Sequence, residues 1–98
     1  MFQKNFFDNL SEDKIKDSIE KEGFNPIRFS NGSGDIYHEH KHPETKLLAF
    51  LKGSMEVKVG NETFQCKPKD KIIIPGNTKH SAVIGPDGCK FFWSEKLI

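Results

Sequence analysis

The sequence predicts an all-β sandwich or barrel preceded by one short helix, and three observations carry that prediction. From Phe24 onward, short runs of β-favouring residues are broken by Gly53-Ser54, Gly60-Asn61, Lys69-Asp70 and Pro86-Asp87-Gly88. Strands at such close spacing, with turn residues between them, belong to antiparallel sandwiches and barrels. Within the runs, side chains alternate: Met55, Val57 and Val59 fall on one face and Glu56 and Lys58 on the other, as a half-buried strand requires. The single helix signature lies in the first 24 residues.

That helix follows a segment holding Phe2, Phe6, Phe7 and Leu10. Burying each phenylalanine is worth roughly 1.5–3 kcal/mol, so the segment is expected to dock on the body of the protein or on a second subunit. Ser11 caps the first turn, Glu12 and Asp13 suit the positive end of the helix dipole, and Gly23 supplies the stop. Ile15 and Ile19 form a narrow apolar stripe, flanked by the i,i+4 charge pairs Glu12/Lys16, Lys16/Glu20 and Asp17/Lys21. This is a surface helix laid against a sheet. Residues 1–24 are expected to pack on the barrel or a dimer partner, and residues 25–98 to form the barrel.

Strands are expected near 26–30, 35–42, 46–52, 54–59, 62–66, 71–74, 80–84 and 89–95, with Gly60-Asn61 a tight hairpin turn. Leu47 to Leu51 and Ile72-Ile73-Ile74 are apolar on both faces. Such strands need cover outside as well as in. The amino-terminal segment, the helix or a homodimer partner is expected to provide it, because bare β-branched edges invite aggregation.

Composition narrows the class of function. Fifteen basic and fourteen acidic side chains are interleaved, whereas a nucleic-acid binder carries a basic stripe. No apolar run approaches the ~20 residues that span a bilayer. Cys66 and Cys89 form no CxxC pair, and no secretion signal opens the chain. The expected setting is a reducing cytoplasm, with a small-molecule partner and neither nucleic acid nor membrane. Both thiols read as packing residues, Tyr37 as structural, and Phe91, Phe92 and Trp93 as core or subunit interface.

The chemistry concentrates in Tyr37-His38-Glu39-His40-Lys41-His42-Pro43-Glu44, which holds three of the four histidines. In a regular strand His38, His40, His42, Glu44 and Lys46 would share one face. Imidazoles at i and i+2 stand ~6.5–7 Å apart at the backbone and can close on one ion at about 2.0–2.1 Å. His38 and His42 span twice that. The chelating pair is therefore His38/His40 or His40/His42, with His80 joining from another strand. The bland alternative is a solvated loop whose histidines bind nothing.

The spacing around these histidines resembles the two motifs of the cupin superfamily. The first runs Gly, five residues, His-x-His, three or four residues, Glu, six residues, Gly; here Gly34, His40, His42 and Gly53 fall in register, with Lys46 in place of the glutamate. The resemblance selects His40/His42 as the pair. The second runs Gly, five residues, Pro-x-Gly, two residues, His, three residues, Asn; Pro75 and His80 match, while Lys69, Asn77 and Ile84 depart from it. Asn77 tolerates a left-handed backbone better than most residues. Fifteen residues separate the motifs, which together span about residues 34–84.

The resemblance implies a small jelly-roll β-barrel, commonly dimeric, with Fe, Ni, Zn, Mn or Cu held inside by His40, His42 and His80. Lys46 is the departure that matters, since an ammonium cannot ligate a dication. In one reading Glu44, on the same face two residues earlier, reaches the ion in place of the missing carboxylate. Otherwise the site is purely three-histidine with Lys46 turned aside or paired to Glu44, or it is a metal-free cationic His/Lys pocket for an anionic ligand. His38 is a further candidate ligand or base. The implied function is a metal-dependent cupin acting on a small polar molecule, oxygenase-like or isomerase-like. Its rivals are a non-enzymatic ligand-binding or sensing cupin and an exposed metal-chelating arm. No residue stands out as catalytic by itself.

Overall fold

The computed structural model of the protein describes residues 1–97. In chain order the elements are β1 (Phe2–Gln3), α1 (Glu12–Lys21), β2 (Ile27–Asn31), β3 (Ile36–His40), β4 (Thr45–Val59), β5 (Glu62–Cys66), β6 (Lys71–Ile74) and β7 (His80–Lys96). All pairings are antiparallel. The sheet order is β1-β6-β4-β7-β2, with β3 also paired to β7 and β5 to β4. This is the expected all-β jelly-roll barrel with one short helix. No helix among the described residues is long and apolar enough to cross a membrane.

β4 and β7 run side by side from Thr45↔Lys96 to Val59↔His80 and form the spine of the barrel. Each was expected as two strands. Gly53 and the Pro86-Asp87-Gly88 stretch do not end strands; they bend them. The register slips between Phe50 and Lys52 and again between Gly53 and Met55. The slip changes which side chains face inward: Leu48 and Phe50 before it, Met55, Val57 and Val59 after it. Gly53 sits at φ +76°, and a Cβ there would lie 2.0 Å from the Gly88 carbonyl oxygen. Only glycine fits where the two spine strands press together.

Two apolar layers result. The barrel interior is packed by Leu48, Phe50, Met55, Val57, Cys66, Ile72, Ile74, Ile84, Cys89 and Phe91. On the outer face, Leu47, Ala49 and Phe92 meet Phe7, Ile15, Ile19 and Phe24 from the amino-terminal segment. The doubly apolar strand 47–51 thus receives the cover that its composition demands.

The amino terminus also contributes an edge strand that alternation alone did not reveal. β1 pairs with β6, and Phe2 stacks on Phe64 at 5.3 Å. Phe7 is fully buried, whereas Phe6 stays 43% exposed with its ring 4.0 Å from the Lys71 ammonium. α1 begins and ends as its sequence requires. The Lys14 amide donates to Ser11 Oγ at 3.3 Å, and the Phe24 and Gly23 amides donate to the Ile19 and Glu20 carbonyls at 3.4 and 2.9 Å. Lys71 Nζ donates to Glu22 Oε2 at 2.7 Å and Lys96 Nζ to the Glu22 carbonyl at 2.7 Å, pinning the helix end to the sheet.

Candidate metal centre

β3 ends at His40, directly opposite His80, the first residue of β7. The β3–β7 register slips between Tyr37 and His40. A regular strand would keep His38 and His40 on one face. The slip instead turns Tyr37 and His40 toward the barrel cavity and leaves His38 exposed. Residues 41–44 leave the sheet, because Pro43 has no amide to donate to a ladder. They are held by the turn before β7. The Asn77 amide donates to the His42 carbonyl at 2.6 Å and the Gly76 amide to Thr45 Oγ1 at 3.2 Å. Gly76 is required for this closeness, since a Cβ there would sit 2.3 Å from the Pro43 carbonyl oxygen. Asn77 takes the left-handed conformation, φ 60°, at the position of the motif's second glycine.

Docking these two loops brings three imidazoles together. The ring centroids of His40 and His42 are 4.6 Å apart, those of His40 and His80 4.3 Å, and those of His42 and His80 5.8 Å. One nitrogen from each ring lies within 4.8 Å of the other two. His80 Nδ1 bonds the Thr78 carbonyl at 3.0 Å, and His40 Nδ1 bonds the His38 carbonyl. Carbonyls accept, so both Nδ1 atoms carry the proton and each Nε2 presents a free lone pair. Outer partners of this kind fix the tautomer and aim of metal-binding histidines. Burial lowers the pKa of His80; the Thr78 bond opposes this, and His40, His42 and Lys46 add to the lowering. The net lowering favours the neutral ring, the form a ligand must have.

The other candidate residues are placed differently. His38 contributes its backbone carbonyl, with its ring outside the three-histidine cluster, and Glu44 is also outside it. Lys46 is buried and its ammonium pairs with Glu95, its cross-strand neighbour on β7, and not with Glu44. The same ammonium lies 4.5 Å from the Trp93 ring. The charge that counts against a dication is thus paired to a carboxylate within the barrel. Glu95 and Thr78 were not foreseen: the first is revealed only by the β4–β7 register, the second only by the turn that precedes His80.

Beside the imidazoles opens a cavity of about 340 Å³, lined by His40, His42 and His80 and by Tyr37, Phe29, Met55, Val57, Ile74, Ser81, Ala82, Phe91 and Trp93. Tyr37, read from alternation as structural, donates its hydroxyl to Asn31 Oδ1 at 2.6 Å and shows its ring to this space. The alternation of Cys89, Phe91 and Trp93 on one face of β7 was the available signal for the aromatic wall.

Comparison with known proteins agrees with this architecture. A conserved protein of unknown function from Streptococcus pyogenes superposes with a TM-score of 0.66 at 19% identity, over 74% of this chain and 62% of that one. The cupin domain of Cnp3 from Schizosaccharomyces pombe gives 0.70 at 18% identity, over 76% and 56%. An oxalate decarboxylase from Bacillus subtilis, a protein with Mn(II) centres, gives 0.68 at 19% identity, over 74% and 21%. The chain thus spans about three fifths of the first two and a fifth of the third. No curated protein matches the sequence. A family model described as the cupin domain matches residues 29–94. With that match over the greater part of the chain, and with the barrel and both histidine-bearing segments in place, the protein belongs to the cupin family.

Proposed function

We propose that His40, His42 and His80 hold a divalent ion and that the ion acts on a small molecule admitted to the adjoining cavity. The observation that carries this reading is the convergence of three imidazole nitrogens within 4.8 Å, two of the rings locked by carbonyls at Nδ1. The donor set fits a dication: neutral imidazoles suit Fe, Ni, Zn or Cu, and Mn is found in a structural neighbour. An ion bound there supplies Lewis-acid polarisation or a redox centre, the chemistry of an isomerase-like or oxygenase-like cupin.

The chain's own residues do the rest. The His38 and Thr78 carbonyls hold two of the rings in register. Phe91 and Trp93 give the cavity an apolar wall, the kind of surrounding in which an electrostatic interaction is strengthened. Glu95 pairs with Lys46 and offsets part of the charge that the lysine places near His80. That pairing also weakens the alternative of a cationic His/Lys pocket that binds without chemistry, because the lysine charge is already spent. A homodimer belongs to the same proposal, motivated by Ile27 and Ile36, which are more than half exposed on β2 and β3.

The test is elemental analysis of protein purified without a histidine tag. The reading expects about one equivalent of a transition metal per chain, falling to near zero in His80→Ala. Metal-free protein with no affinity for added Zn²⁺, Ni²⁺ or Fe²⁺ would contradict it.

A further inference from the structure

We infer that the cavity takes a planar aromatic anion, its ring among Phe29, Phe91 and Trp93 and its single charged oxygen group toward the three imidazoles. The inference deepens the proposed function by naming a substrate class, and it rests on that reading only for the charged end.

The lining decides the class. Seven of the cavity residues are hydrocarbon, thioether or aromatic: Phe29, Met55, Val57, Ile74, Ala82, Phe91 and Trp93. No Asp, Glu, Asn, Gln, Lys or Arg lines the space. The polar groups are the imidazoles, the Ser81 hydroxyl, the Trp93 indole N–H and the Tyr37 hydroxyl, and the last already gives its proton to Asn31. A sugar or polyhydroxy acid would bury more hydroxyls than these few groups can bond, which is unfavourable. A ring asks for no such partners.

Three of the lining rings pack on one another into one continuous aromatic wall, against which a flat guest can lie. Phe29 stands 5.9 Å from Phe91 and 6.0 Å from Trp93, tilted 30° to the first and nearly perpendicular, 84°, to the second. Centroid separations of 4.5–7 Å with offset or edge geometry are those in which aromatic groups attract one another. Trp93 is steadied by the Lys46 ammonium at 4.5 Å, itself fixed by Glu95. Phe29 is 40% exposed while lining the cavity, so it stands at the mouth where a ligand enters. The volume, about 340 Å³, lies at the lower end of the roughly 300–1,000 Å³ range of small-molecule sites. That suits one ring or a fused pair, not an oligomer.

Charge decides the head group. Three neutral imidazoles leave a bound dication uncompensated, no carboxylate belongs to the cluster, and the Lys46–Glu95 pair is neutral as a unit. One anionic oxygen group on the ligand offsets half of that charge and is attracted by it.

The test titrates wild-type protein, metal-free and loaded with Zn²⁺, with three probes. These are 2-naphthoate, neutral 2-naphthalenemethanol, and glucuronate, which has the charge but no aromatic ring. Calorimetry reads affinity and ¹H–¹⁵N NMR reads location. Both naphthalenes are expected to bind the metal-free protein and to shift the Trp93 indole and the Phe29 and Val57 amides. A separate outer groove, lined among others by Ser54, Glu56 and Gly85, should stay silent. Glucuronate is expected to bind about 100-fold more weakly than 2-naphthoate, since its hydroxyls go unpaired. Zn²⁺ is expected to tighten 2-naphthoate about 10-fold and leave the neutral probe unchanged, a charge effect. Phe29→Ala is expected to weaken both naphthalenes about 10-fold with Zn²⁺ affinity unaltered.

Glucuronate binding as tightly as 2-naphthoate, naphthalene shifts confined to the outer groove, or no naphthalene binding at all would overturn the inference, even if Zn²⁺ binds. Naphthalene binding at Trp93 in a protein that takes no metal would sustain the aromatic cavity and contradict the metal centre alone.

Discussion

Lys46 shows how one residue can alter the expectation for a whole site. At the place of the cupin motif's glutamate stands an ammonium, and the sequence offers Glu44 as its nearest partner on a regular strand. The barrel supplies a different partner, because β4 and β7 run antiparallel with Lys46 opposite Glu95. Breaking a buried pair leaves an uncompensated charge, but Glu95 retains 36% side-chain exposure and is partly solvated. Lys46→Met is therefore expected to cost only about 1–2 kcal/mol in urea denaturation. Glu95→Leu added to it should recover most of that loss, and additive losses would show that the two side chains do not act as a pair. The two thiols make a second residue-scale case. Burial pushes Cys66 up to about 12, aided by Asp70 and Cys89, and Cys89 up to about 11. Folded pKa values above the unfolded value of 9.0 mean that the native state holds these protons more tightly. Their contribution to stability is complete below about pH 9 and is lost as pH rises through 11–12. Unfolding free energy should fall more steeply with pH above 9 in the wild type than in a Cys66→Ala/Cys89→Ala variant. Equal slopes would mean that the thiols are not held neutral by the fold.

At the scale of elements, the helix was legible to its ends. Ser11 and Gly23 carry capping chemistry that depends only on neighbours in sequence, and α1 lies between them. The long strands were not. Gly53 and Gly88 look like turn residues, and a local reading must treat them so. Whether a glycine ends a strand or bends it is decided by what lies across from it, and here the two glycines face each other across the spine. The same limit hid β1, whose two ladder pairs with β6 have no local signature, and the slip in β3 that separates His38 from His40. Gly53→Ala tests the bend directly. The substitution meets both a left-handed φ and backbone at 2.0 Å. It is expected to cost more than about 3 kcal/mol, read as a large fall in the urea midpoint or loss of soluble protein. A near-neutral effect would mean that the spine can part at that point without penalty.

For the molecule as a whole, the candidate site is a product of topology more than of any one segment. His40 comes from the end of β3, His42 from a loop outside the sheet, and His80 from the start of β7. The motif spacing made the three histidines legible because it reports the two loops that must dock, not because adjacent residues form the site. The cavity was less legible: Phe29, Met55, Val57, Phe91 and Trp93 come from three different strands, and their faces follow from register slips that composition does not encode. The outer layer, in which α1 and Phe7 cover Leu47 and Ala49, leaves the barrel interior free to carry the site. All of these arguments converge on one point in space between three rings. Crystals of the protein soaked in Zn²⁺ and measured at the zinc absorption edge give the most direct test. The account predicts a single strong anomalous peak at about 2.0–2.1 Å from one nitrogen of each of His40, His42 and His80. A peak at His38 or on the outer surface, with none between those three rings, would contradict it.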